Sequence, residues 1–224
     1  MTDQLDRRAD LTRLQIIQAA SRQFARRPYS LVSLDDILTD AEVTKGAMYF
    51  HFRSKHALAT AIVEHQSDTG RTTVDGLTAQ GLSGLETMID VVFQAAIDDL
   101  TNDMARAALN LLESIGRTDG LQERVLNQWA STLAGIARRA ISDGDITGHK
   151  PEDIARFLLS MHLGLRHTSV IDKPDVFLDD LRTAWLMALP GFAAPDRLGF
   201  LTTFIERRTA LAVKKAALAQ RDAL

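Results

Sequence analysis

Apolar residues recur along almost the whole chain at separations of three and four, the repeat of a helix face, and no segment shows the alternation expected of a strand. From Ser54 the positions Leu58, Ile62 and Val63 open a pattern that runs toward Gly76. A single helix of about 20 residues there would span about 30 Å and could connect two functional ends. Further helices are predicted over residues 85–100, 104–115, 121–141, 151–171, 176–189 and from 195 to near 220. Gly81, Ser83, Gly116, Gly120, Gly144, Gly148, Pro151, Pro174, Pro190, Gly191 and Pro195 stand where those helices should stop or start. The pattern predicts an all-α protein, with no internal repeat and no low-complexity tract.

The early part of the chain is patterned on a shorter scale. Leu34-Asp35-Asp36-Ile37-Leu38 forms a compact helical segment whose start is marked by Ser33, with Asp36 three positions on as a short capping box. Asp40-Ala41-Glu42 leaves room for only a tight turn before Thr44, itself a good N-cap for Lys45-Gly46-Ala47-Met48-Tyr49-Phe50-His51. Two short helices on such a turn are either a plain helical hairpin or a helix-turn-helix whose second helix enters the major groove. Composition favours the second. Hydroxyl, ammonium and phenol groups share one short helix with a glycine that lets a partner approach, and Ser54-Lys55 starts another helix at once.

The segment from Ile16 to Leu58 resembles the DNA-binding domain of the TetR family of bacterial repressors. The matching residues are Ile17, Ala19, Ala20 and Phe24; Tyr29, Ser33 and Ile37; Ala41 and Val43; Thr44-Lys45-Gly46, Tyr49, Phe52, Ser54, Lys55 and Leu58. The chain departs from the family at Arg27-Pro28-Tyr29, where Arg-Gly usually precedes the aromatic, and at Glu42, where the turn usually carries glycine. A non-glycine residue in a turn that favours positive φ costs about 1 kcal/mol. Farther on, Asn127-Gln128-Trp129, the run from Leu133 to Ala140, a Gly-Asp turn and Ile154-Ala155-Arg156 are similar to the γ-butyrolactone receptor branch of that family, as are Arg106-Ala107-Ala108-Leu109 and the stretch from Val43 to Phe52.

Composition narrows the classes. The chain has 224 residues, 46% of them hydrophobic, enough for a sizeable core. With no cysteine it has neither a disulfide framework nor a thiolate metal site. The polar N-terminus lacks a signal peptide's apolar segment, and no run approaches the roughly 20 apolar residues that cross a bilayer. A cytoplasmic location away from membranes is expected. The formal net charge of −3 does not oppose DNA binding, because residues 1–56 hold nine Lys/Arg against seven Asp/Glu and the excess of acid lies beyond them. Affinity for nucleic acid depends on where charge meets phosphate.

Enzyme chemistry finds no support. His51 with His56, and His162 with His167, are five apart, which turns the second ring about 140° from the first on an ideal helix. No catalytic motif and no metal site is legible, and no cofactor is implied. The adjacent acids Asp35-Asp36, Asp98-Asp99 and Asp179-Asp180 read as solvated or capping residues. Two late segments, 157–165 and 184–189, are apolar over more than one helical stripe and are either core helices or helices shared between core and a second copy of the chain.

The expectation is an all-α, homodimeric, ligand-responsive transcriptional repressor. Residues 1–56 form a three-helix DNA-binding domain with the helix-turn-helix, and residues 57–224 a ligand-binding and dimerisation domain joined to it by the long helix. The resemblance implies that Lys45 reaches a base edge or phosphate, with Thr44 beside it and Gly46 permitting close approach, while Tyr49, Lys55 and Ser33 bond phosphates. Arg7 and Arg8 are candidates for an arm along the DNA. On the effector side the family places a tryptophan at the position of Trp129, and Phe93, Leu112 and Met161 are candidates to complete the cavity; read without the family, all four are equally core residues. The effector is a γ-butyrolactone-type signal or, alternatively, another hydrophobic ligand controlling efflux or catabolic genes. A third reading is a small helical enzyme or carrier with a vestigial helix-turn-helix.

Overall fold

The computed structural model describes residues 2–222, with side chains for residue 7 and residues 9–221. Ten helices follow in order: α1 (Thr2–Arg26), α2 (Leu34–Ala41), α3 (Lys45–His51), α4 (Lys55–Thr78), α5 (Gly84–Thr101), α6 (Asp103–Ile115), α7 (Leu121–Ser142), α8 (Pro151–Thr168), α9 (Pro174–Ala188) and α10 (Leu198–Asp222). The all-α expectation holds, since the described residues contain no strand beyond an isolated bridge between Ile146 and Ala193. That bridge explains the late start of α10. The amides of Thr147 and Ala194 bond to the carbonyls of Phe192 and Asp145, at 3.1 and 2.8 Å, so the backbone near 195 is already committed.

The chain forms two compact units. One comprises Met1–Gly70 with Asn102–Val125, the other Arg71–Thr101 with Leu126–Leu224. In the first, α1 presents Ile16, Ile17, Ala19, Ala20 and Phe24 to a core shared with Ile37, Met48, Phe52, Leu58 and Ile62, all buried. The helix α6 packs along α1. Its Asn110 amide donates to the carbonyls of Phe24 and Ala25, at 3.1 and 3.4 Å, which answers two of the orphan acceptors at the end of α1.

In the second unit α5 is the central helix and packs on α10, which also packs on α9. Leu85, Met88, Ile89, Val92, Phe93 and Ala96 meet Leu158, Phe177, Leu181, Trp185, Leu201 and Ile205 in one continuous core. The start of α5 is held by acids from the 143–145 turn: the Gly84 and Leu85 amides donate to Asp143 and Asp145, at 2.8 and 3.3 Å. Only glycine fits at 84, because a Cβ there would lie 2.2 Å from the backbone nitrogen of Ala140.

The two apolar late segments divide between inside and outside. Leu158, Trp185 and Leu189 are buried, whereas Phe157 and Met187 are exposed. The acidic pairs expected to be solvated or capping include one residue that is buried. Asp99 is 2% exposed and lies 3.1 Å from the Arg166 guanidinium and 3.0 Å from His162 Nε2, so it is a buried ion-paired group rather than a solvated one. Asp98 is half-buried, and loss of water raises its pKa above the ordinary carboxylate value.

Candidate DNA-binding surface and effector domain

Local chemistry builds the helix-turn-helix. Ser33 Oγ accepts the Asp36 amide at 3.1 Å while the Asp36 carboxylate accepts the Ser33 amide at 3.0 Å, a complete capping box. The Ser33 backbone and hydroxyl donate to that carboxylate, and with Arg27 nearby they lower its pKa. At the other end of α2, Asp40 is clamped to α1 by Arg22, at 2.6 and 3.1 Å, and by Gln23 at 3.0 Å. The Arg22 bonds, assisted by Gln23, hold the Asp40 carboxyl below its ordinary range. Glu42 then takes the left-handed conformation at φ 52° and ψ 38°, as the turn required, and its amide returns to the carbonyls of α2. Thr44 caps α3 by accepting the Ala47 amide at 3.1 Å.

The result is a short helix with one buried anchor. Met48 is 0% exposed, whereas Thr44, Lys45, Gly46, Tyr49 and Phe50 all face water. A Cβ on Gly46 would meet only Thr44 Oγ1, at 3.9 Å, so the surface above it is open to a partner. Lys55 is placed differently from the other candidates. Its ammonium donates to the carbonyls of Tyr29 and Val32, at 2.9 and 2.8 Å, and lies 4.2 Å from the centre of the Tyr29 ring. Two of its three protons therefore hold the loop before α2, and Tyr29 is in turn stacked on Phe24 with ring centroids 5.7 Å apart. Arg7 lies within α1 and is exposed; the side chain of Arg8 lies outside the described residues.

The four effector candidates are not equivalent. Phe93 lies in the core of the second unit and Met161 packs against it. Trp129 is half-buried on α7 and stands outside that cluster. Leu112 is buried on α6, which belongs to the first unit. A groove of about 470 Å³ in the second unit is lined by Leu82, Glu86, Phe200, Thr203, Phe204 and Arg207, none of them an effector candidate. Sequence patterning left out the α5–α10 ion pair: Arg208 donates to Asp90 at 2.8 Å, across 118 positions of sequence, and no local signal marks it.

An α2 anchored by Ile37 and Ala41 and clamped to α1, a tight left-handed turn and an exposed Thr-Lys-Gly-Tyr face on the next helix form a helix-turn-helix of the kind that binds DNA. Residues 16–62 match the model of the bacterial regulatory proteins, tetR family. Over 217 residues the chain is 29% identical to the A-factor receptor protein of Streptomyces griseus, covering 96% of this chain and 75% of the receptor. A crystal structure of a γ-butyrolactone receptor (ArpA like protein) superposes with TM-score 0.77 at 29% identity, over 91% of this chain and 98% of the receptor. The TetR-family protein CprB from Streptomyces coelicolor, solved with its biological operator sequence, superposes with TM-score 0.74 at 29% identity, over 89% and 97% of the two chains. Residues 16–62 thus carry a tetR-family DNA-binding segment, and the chain as a whole is similar to the γ-butyrolactone receptors. These relatives are regulators rather than enzymes, and among the described residues no helix is long and apolar enough to cross a membrane.

Proposed function

We propose that this protein is a ligand-responsive repressor that binds palindromic operator DNA as a homodimer and releases it when a small γ-butyrolactone-type effector binds. The observation that carries the reading is the extent of the likeness. It runs over 96% of the chain, well past the DNA-binding segment and through the second unit, where a shared helix-turn-helix alone would not reach. The functional division falls at residue 56: Ser33, Thr44, Lys45, Gly46 and Tyr49 serve the DNA directly, Lys55 serves it by holding the loop before α2 through the Tyr29 and Val32 carbonyls, and residues after 56 serve effector and partner subunit. Trp129 contributes an aromatic wall to the effector site, with Phe93 and Met161 behind it. The protein acts in the cytoplasm and catalyses no reaction.

The test begins with selection of duplex DNA from a random pool by the full-length protein. An inverted repeat should emerge, with half-sites about one helical turn or a small multiple apart. Sedimentation should report a dimer at micromolar concentration, alone and on that DNA. A γ-butyrolactone carrying an alkyl chain should then dissociate the complex in a gel-shift titration. Operator binding without any response to this probe would retain the repressor and transfer the effector to a different chemical class.

A further inference from the structure

The recognition helix carries one large apolar side chain that capping and packing leave unexplained. Phe50 is 77% exposed, more than Tyr49 beside it at 46%. With about 100° per residue, the exposed residues of α3 follow one another around the helix as Lys45, Tyr49, Gly46 and Phe50, an arc of about 140°. Met48, buried, lies on the other side. Gly46 therefore falls between two aromatic positions, and the space above it is open. The arc has a cationic edge at Lys45 and an apolar edge at Phe50, with a shallow notch between Tyr49 and Phe50.

The Phe50 ring is also tethered. It meets the His51 ring edge-on, with centroids 5.0 Å apart and planes at 87°, and His51 is followed by Phe52 at 6.4 Å. Phe52 is buried at 4% exposure. An exposed ring held through its neighbour to the core is presented to a partner in a defined place.

A phenyl ring has no donor or acceptor, so it bonds neither a phosphate oxygen nor the polar part of a base edge. The apolar group that the major groove offers is the C5-methyl of thymine. We infer that Phe50, together with the Gly46 notch, reads thymine methyl groups in the operator and is a specificity-determining residue of this regulator. The inference rests on the DNA-binding reading proposed above.

The experiment uses the full chain and the duplex that it selects. Replacing each thymine in turn by deoxyuridine removes only the methyl group. For at least one position per half-site the wild-type protein should lose roughly fourfold in affinity, the factor that burial of one methyl group carries. The variant Phe50→Ala should bind the thymine duplex about tenfold more weakly and no longer distinguish thymine from uracil there. Phe50→Leu, which keeps an apolar side chain, should recover part of the distinction. Melting temperature and affinity for random DNA should be the same in all three proteins. If Phe50→Ala still distinguishes the two bases, if wild type never does, or if random and selected DNA weaken together, the inference is overturned while the repressor reading stands. Failure to enrich any sequence would overturn both.

Discussion

Glu42 shows how one residue records a conflict between local preference and fold. Its φ of 52° is a conformation that costs an L-residue about 1 to 2 kcal/mol, and glycine avoids this at the cost of extra freedom in the unfolded chain. Glu42→Gly should therefore raise stability by about 0.5 kcal/mol, read as a small rise in melting temperature with operator affinity retained. A fall would mean that the glutamate side chain contributes something that its backbone strain conceals. Lys45, exposed at the start of α3, tests the reading face itself. Lys45→Ala should weaken specific binding by about 1 to 3 kcal/mol if the ammonium reads a base. Should it touch phosphate alone, specific and random DNA will weaken in parallel and the salt slope will fall by about one. Unchanged gel-shift affinity would remove this residue from the interface.

At the scale of elements, two carboxylates give opposite responses to acid. Asp40, which joins α2 to α1, has a lowered pKa, so its contribution is present above the unfolded value near 3.8 and is lost as pH falls through the lower folded value. The pair is partly exposed and screened by water, and the contribution is at most about 1 kcal/mol. Asp40→Asn should thus be less stable than wild type at pH 7, with the gap closing below the ordinary carboxylate range. Asp98, on α5, has a raised pKa because burial disfavours its charge, so its ionised form weakens the fold above that pKa. Asp98→Asn should stabilise the protein at pH 7 and lose its advantage as pH falls through the raised value to the unfolded one near 3.8. Denaturant midpoints measured across pH for both variants check the two signs. The contact of α5 with α7 is tested sterically: Gly84→Ala places a Cβ against the Ala140 backbone and should cost about 1 to 3 kcal/mol, seen in the thermal midpoint.

For the whole molecule the decisive quantity is the coupling between DNA and effector. Release of operator by 100-fold needs about 2.7 kcal/mol, and DNA must then weaken effector binding by the same factor. On the proposal that Trp129 walls the effector site, Trp129→Ala should bind operator normally and fail to release it when the alkyl γ-butyrolactone is added. Release equal to that of wild type would locate the effector elsewhere in the second unit. Loss of operator binding with no effector present would instead make Trp129 a structural residue.

Much of this protein is legible without coordinates. Helix positions came from apolar spacing and from the Gly and Pro residues between them, which act within a few positions of themselves. The cap at Ser33, the strained turn at Glu42 and the Thr44 start of α3 are local in the same sense, and each was readable in place. Tertiary structure alone decided which groups are shared across distance. It commits the Lys55 ammonium to the carbonyls of Tyr29 and Val32, buries Asp99 between His162 and Arg166, and turns Trp185 inward while leaving Met187 in water. It also assigns α6, with Leu112, to the unit built on α1, although dozens of residues separate them in sequence. Periodicity reports that a helix has an apolar face; what that face meets is set by the packing of every other helix against it.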